Sequence, residues 1–488
     1  MRQLPTIHSR QRSPTVPTNQ SIETASPSKL RDVEILHGGR AVAVVATLIL
    51  GILAFQLNAS MLTPALPAIG EEFGADGAGL GQVSSLLFLS GAVAGLVLGR
   101  WSDFFGRRRM AILILAIVIV GTLMCIVAPN LPVLLVGRVL QGAGSASFPL
   151  AYVTLSERMA PKVFGTTLGV ITAVNGGVGG LDGYFGGLLA ETWGFRSIFV
   201  VILIVAVIAL IASVVVLPKD VRAASAGAMD WWGALILSIA LISLTYFVSE
   251  GSNQGWFSPL PLLFLAVAVG AFVVFWKVEQ RKTTPLIAVH HLKSRQVWPV
   301  VLTTTLTLAS VFAVINFTVV LLSQNTDFGY GLDAATAALR YLLPPAIIGV
   351  LAAPFAGWFA AKFGWLKAVR IGMVLSIAAV ATIALLPTEQ GIVLACIALL
   401  GISYNGFLLT TANGLGVILS PPEAPSALPG INGAGFGIGV GLGIGIVAPF
   451  AGNGTIEGIQ TALFISLGIT ILAFIASMFI KGRPGVKL

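Results

Sequence analysis

Gly99-Arg100-Trp101-Ser102-Asp103-Phe104-Phe105-Gly106-Arg107-Arg108 is echoed by Gly357-Trp358-Phe359-Ala360-Ala361-Lys362-Phe363-Gly364-Trp365-Leu366-Lys367. Gly99 and Gly357, Gly106 and Gly364, and Asn58 and Asn316 are each 258 residues apart. Asn175-Gly176 and Asn432-Gly433 are 257 apart. Singly such matches are weak, but at one fixed offset they indicate an internal repeat. They predict two parallel halves.

Around these motifs the chain is mostly apolar. Of 488 residues 56% are hydrophobic and 10% charged, against roughly 25% charged in soluble domains. Fourteen apolar runs read as membrane-spanning helices: 41–62, 79–99, 110–128, 132–155, 164–188, 195–217, 231–250, 259–276, 297–322, 334–360, 368–387, 391–419, 427–450 and 459–480. Each approaches the ~20 residues that cross a bilayer, and helices are the way such runs satisfy their own backbone in lipid. The first repeat motif follows run two and its echo follows run ten, so runs seven and eight are an insertion. The expected fold is an all-α membrane protein with 14 transmembrane helices. A six-helix bundle (41–217), a two-helix insertion (231–276) and a second six-helix bundle (297–480) follow a disordered cytosolic tail (1–40). Glycine alternates from Gly433 to Gly445, which suggests a helix that lets a neighbour approach closely.

The formal net charge is +9, but its distribution argues against nucleic acid. Of the 28 Lys and Arg, all except Arg138, Arg196 and Arg340 fall in the N-terminal tail, the even-numbered joints or the C-terminus. That asymmetry places both termini in the cytoplasm of an inner-membrane protein.

Gly99 to Arg108 resembles the loop signature of the major facilitator superfamily. Leu135-Val136-Gly137-Arg138-Val139-Leu140-Gln141-Gly142-Ala143-Gly144 resembles its fourth-helix motif. Fourteen spans resemble the drug:proton antiporter branch, and the resemblance covers about 41–480. It implies alternating access driven by a proton gradient. Two departures stand out. The helix-one aspartate usual in that branch is here Asn58, in Leu57-Asn58-Ala59-Ser60. The fifth-helix motif Gly-Pro-x-x-Gly-Gly here reads Asp182-Gly183-Tyr184-Phe185-Gly186-Gly187, with an acid and no proline.

Ionisable residues within a bilayer default to functional candidates. Asp182 is the one acid deep within a predicted span, and Arg138 is its expected counterpart. The pair either carries the coupling proton or ties helices four and five together. The amides Asn58, Asn175, Asn316, Asn405 and Asn432, with Gln141, are substrate-cavity candidates or interhelical glue. Gly99, Asp103, Gly106, Arg107 and Arg108 are the expected cytoplasmic gate. His8, His37, His290 and His291 lie outside the runs, and no HExxH, Walker loop or nucleophile elbow occurs. An enzyme, a metal site and a cofactor are therefore not expected. The expected partners are a small-molecule substrate and membrane lipid, with a monomer as the functional unit. Proton-coupled efflux of small apolar or amphipathic compounds is the first functional expectation. Metabolite uptake or facilitated diffusion is the alternative, and a non-transporting sensor comes last.

Overall fold

The computed structural model describes residues 36–159, 167, 171, 181–220, 229–282, 297–419 and 427–481, and these are helical with no strand. The helices are α1 Gly38–Phe73, α2 Gly77–Phe105, α3 Arg107–Ile126, α4 Leu131–Leu155, α5 181–193, α6 Arg196–Val216, α7 Trp231–Gln254, α8 Pro259–Arg281, α9 Trp298–Gln324, α10 Ala334–Phe363, α11 Trp365–Leu385, α12 Gln390–Leu415, α13 Ala427–Ala451 and α14 Ile456–Met478.

Among the described residues twelve helices are long and apolar enough to cross a membrane, so the expected fourteen spans are not supported. Most of the expected fifth run lies outside the described residues. α7 runs Trp231–Gln254, and its described apolar stretch is Trp231–Leu244. Residues 1–35, the greater part of the expected tail, also lie outside the described residues.

Local chemistry sets the helix ends. Asp76, Asn130, Asp230, Asp333 and Thr455 each accept a backbone N–H of the first turn of α2, α4, α7, α10 and α14. Gly106 and Gly364, the repeat partners, turn the chain from α2 into α3 and from α10 into α11. Their φ values, +104° and +113°, are costly for any side chain. In α1 Pro64 and Pro67 lack N–H donors, and a 3₁₀ turn at Thr63–Ala65 interrupts the helix. In α9, α10 and α12 the chain passes through π turns at Leu308–Phe312, Val314–Thr318, Ala338–Leu342 and Gly401–Leu408.

The glycine alternation of α13 serves two neighbours. Residues four apart share a helix face. Gly437 and Gly441 meet α2 at Phe88, Ala92, Leu89 and Ser85. Gly435, Gly439 and Gly443 meet α9 at Thr305, Leu308 and Ala309. A Cβ on Gly437 would lie 2.7 Å from the Phe88 carbonyl. Period two on a helix thus gives two opposed close-packing stripes, which hold α13 between α2 and α9.

A second seam joins α5 to α10. A Cβ on Gly187 would lie 2.7 Å from the Ala334 backbone, and one on Gly183 3.1 Å from Leu342. Gly186 lies against the Met61 carbonyl of α1. The Glu191 carboxylate accepts the Ala335 N–H at 2.7 Å. Gly77 of α2 touches Gly452 beyond α13. These contacts lie at the end of the helices opposite the repeat motifs, so there α1–α6 and α9–α14 are sealed together.

Candidate functional site

Arg138 lies in the first third of α4 and is 1% exposed. Its Nε donates to the Val83 carbonyl at 2.8 Å. Both Nη atoms donate to the Asn58 carbonyl at 3.1 Å, and Nη1 also donates to Gln141 Oε1 at 2.9 Å. Gln141 Nε2 in turn donates to Thr122 Oγ1 at 3.1 Å. One guanidinium therefore ties together α1, α2 and α4, and its amide partner reaches α3. Only a planar fork with five donors can serve that many acceptors. Of the predicted polar residues, Arg138, Asn58 and Gln141 are brought together.

Asp182 is not Arg138's partner, which corrects the expected ion pair. It is 4% exposed, and its Oδ2 accepts the Ser60 hydroxyl of α1. Among the described residues its buried Oδ1 has no hydrogen-bond partner. The expectation weighed only charged partners for Asp182. The packing of glycine-faced α5 against the α1 break brings up a serine instead. Ser60 lies two residues beyond Asn58, so α1 links the guanidinium network and the carboxyl. Asn58 donates to the Ala54 carbonyl at 2.8 Å, while its Oδ1 is buried without a partner.

The other amides are dispersed. Asn316 donates to the Phe312 carbonyl at 3.3 Å, and Asn405 donates to the Pro345 carbonyl at 3.0 Å. Both lie inside π turns and both are half-buried. π turns interrupt the regular ladder and recur at functional sites. Asn432 is buried with an unpartnered Oδ1. Asn175 lies outside the described residues.

The loop motif forms a charged knot. Asp103 pairs with Arg100 at 2.8 Å and Arg107 at 2.6 Å, and Arg107 pairs with Glu157 at 2.9 Å. Arg107 also donates to the Ser102 hydroxyl. The Arg108 and Arg109 N–H groups donate to Asp220 at 2.8 and 3.2 Å. Asp220 thus caps α3 from beyond α6 and fills the space beside Gly106 that a Cβ would need. Gly99 lies against Pro149. Sequence spacing identified Asp103, Arg107 and Arg108. It missed Glu157 and Asp220, which lie 50 and 112 residues away from their partners.

At the sealed end Asp333 caps α10 through the Thr336 N–H at 2.7 Å. That hydrogen bond holds its carboxyl below the usual carboxylate range, against some burial.

Comparisons with known proteins agree with this architecture. The sequence pattern of the Major Facilitator Superfamily matches residues 48–443. The chain is 32% identical to a uridine/deoxyuridine transporter of Lactococcus lactis over 482 residues, which is 96% of this chain and 99% of that protein. It is 29% identical to the quinolone resistance protein NorB of Staphylococcus aureus over 245 residues, only 49% of this chain and 52% of NorB. Among solved structures, the peptide transporter POT in complex with sulfate aligns with a TM-score of 0.66 at 12% identity, covering 92% of this chain and 98% of POT. A bacterial homologue of the human lysosomal transporter Spinster, in an inward-facing and occupied conformation, aligns with a TM-score of 0.61 at 16% identity, covering 91% and 97%. With the repeat motifs, the helical architecture and a family match over most of its length, the chain belongs to the Major Facilitator Superfamily, a family of transporters rather than enzymes.

Proposed function

We propose that the chain is a secondary transporter that moves pyrimidine nucleosides by alternating access between α1–α6 and α9–α14. The observation that carries this reading is the end-to-end likeness to the uridine/deoxyuridine transporter. The geometry is compatible with it. Both seams, α2–α13 and α5–α10, are closed at the end opposite the repeat motifs. On this reading the open end faces the cytoplasm and both termini lie there, in a bacterial inner membrane. The two groups act as bundles (41–217 and 297–480) joined by the 231–276 insertion, in a monomer.

The proton gradient is the proposed energy source and Asp182 the proposed carrier. Its unpartnered Oδ1 can take a proton while Oδ2 keeps Ser60, and the bond to α1 passes any change to the helix break at Thr63–Ala65. Arg138 holds the surrounding helices in register. Asn316 and Asn405, on π turns, are the proposed substrate contacts. Asp103, Arg107 and Arg108 brace the cytoplasmic gate.

Proton-coupled efflux of small amphipathic compounds is the second reading. The half-length likeness to NorB favours it. Reconstitution in liposomes separates the two. Uptake of labelled uridine that responds to an imposed pH gradient supports the nucleoside reading. Absence of uridine movement together with pH-driven movement of a quinolone replaces it with the efflux reading.

A further inference from the structure

Three phenylalanines meet where the α2–α13 seam ends. Phe312 of α9 stands edge-on to Phe88 of α2, with ring centres 5.5 Å apart and planes at 77°. It also stands edge-on to Phe436 of α13, at 6.4 Å and 71°. Phe312 closes the π turn Leu308–Phe312. Phe88 is buried, whereas Phe436 is 36% exposed.

The direction of that exposure follows from the faces of α13. One stripe of glycines is taken by α2 and the opposed stripe by α9. Ile438 packs with Leu237, Leu241 and Phe275 of the α7–α8 hairpin. Phe436 shares the remaining face with Val440, Ile444 and Val447, at helical spacings of four, eight and eleven. Those three are buried in the main core between the two helix groups. One turn below them the same face is open. Phe436 is partly bare, and a Cβ on Gly433 would meet nothing within 4 Å. The Phe436 ring therefore lies at the level where the closed interior gives way to open space, and Phe312, itself against Phe88, stands edge-on to it.

We propose that Phe436, backed by Phe312 and Phe88, is the stacking surface for the planar ring of the transported molecule, and thereby selects a nucleobase over a bare sugar. This rests on the nucleoside reading above. Base–aromatic stacking tolerates any base because every base presents a π face. The π turn of α9 fixes one backing ring and α2, from the other helix group, supplies the second, so the fully backed surface forms only while the α2–α13 seam is closed. Substrate bound there stabilises that closed seam.

The test uses the full chain in liposomes, with labelled uridine as substrate and unlabelled uracil or ribose as competitor. Phe436→Ala is expected to raise the KM for uridine roughly tenfold or more and to weaken competition by uracil, while Phe436→Trp restores both. Phe436→Leu keeps the apolar bulk, and is expected to behave like the alanine variant. An unaltered KM and unaltered uracil competition in folded Phe436→Ala or Phe436→Leu protein would overturn the proposal. If the wild-type chain moves no uridine, the nucleoside reading fails separately. The same variants are then assayed for quinolone binding: lost affinity in Phe436→Ala supports the stacking surface, and unchanged affinity overturns it.

Discussion

Ser60 on α1 donates its hydroxyl to Asp182 on α5, and the second carboxylate oxygen of Asp182 is buried with no partner among the described residues. An acid held this way, without a cation, differs from an ion pair in one functional respect. It can gain a proton without leaving a buried positive charge uncompensated.

Asp182→Asn keeps the shape and one acceptor for Ser60 but removes the titratable oxygen. Uridine accumulation driven by a pH gradient is expected to fall at least tenfold, while exchange down the substrate's own gradient persists. Accumulation at the wild-type level would remove Asp182 from the coupling role.

Arg138→Met leaves the Asn58 and Val83 carbonyls and Gln141 Oε1 without their donor. Lost bonds to a charged group and orphaned acceptors are each worth about 1–3 kcal/mol, so the loss is expected to reach about 3 kcal/mol. Thermal unfolding in detergent checks this, with Arg138→Lys falling between the variant and the wild type.

Gly106→Ala places a Cβ on a backbone with φ of +104° and against the Asp220 carboxylate. About 1–3 kcal/mol of strain is expected, together with loss of the α3 cap. The readout is a lower melting temperature, deepened little by adding Asp220→Ala because both changes break one contact.

The α5–α10 seam is held by Gly187 against Ala334 and by Glu191 on the Ala335 N–H. Gly187→Val is expected to part it, and Glu191→Ala to weaken it. A cysteine placed at Ala338, beside Gly183, should then react faster with a membrane-impermeant maleimide added from outside. Equal labelling in wild type and Gly187→Val would show that this seam does not set access.

At the base of the α7–α8 hairpin, burial opposes the charge of Asp230. The Gly233 N–H, Lys282 at 3.0 Å and Glu279 nonetheless hold its carboxyl below the usual carboxylate range. A depressed folded-state value means the contribution is present above the ordinary aspartate value and is lost as pH falls through the depressed one. Asp230→Asn should lower the melting temperature at neutral pH and converge with wild type in acid.

Sequence alone determined that the chain is helical, lipid-immersed and repeated, because hydrophobic length, charge sidedness and a fixed motif offset are local or additive properties. It grouped Asp103 with Arg107 and Arg108 because an acid at one helix end and bases at the start of the next share one short joint. The repeat offset also marked Gly106 and Gly364, and the structure gives the reason: only glycine takes their backbone conformation freely. The span count came out two higher than the twelve supported among the described residues.

Only the tertiary structure decided which polar groups meet. Charge complementarity pointed from Asp182 to Arg138, but burial on different faces sent the acid to Ser60 and the guanidinium to three helices' acceptors. The alternating glycines of α13 gave no sign of which two helices they admit, and Phe312 gave none that it bridges Phe88 and Phe436. These contacts link residues scores to hundreds of positions apart, and a chain fixes such pairings through the summed packing of its helices, which no local spacing encodes.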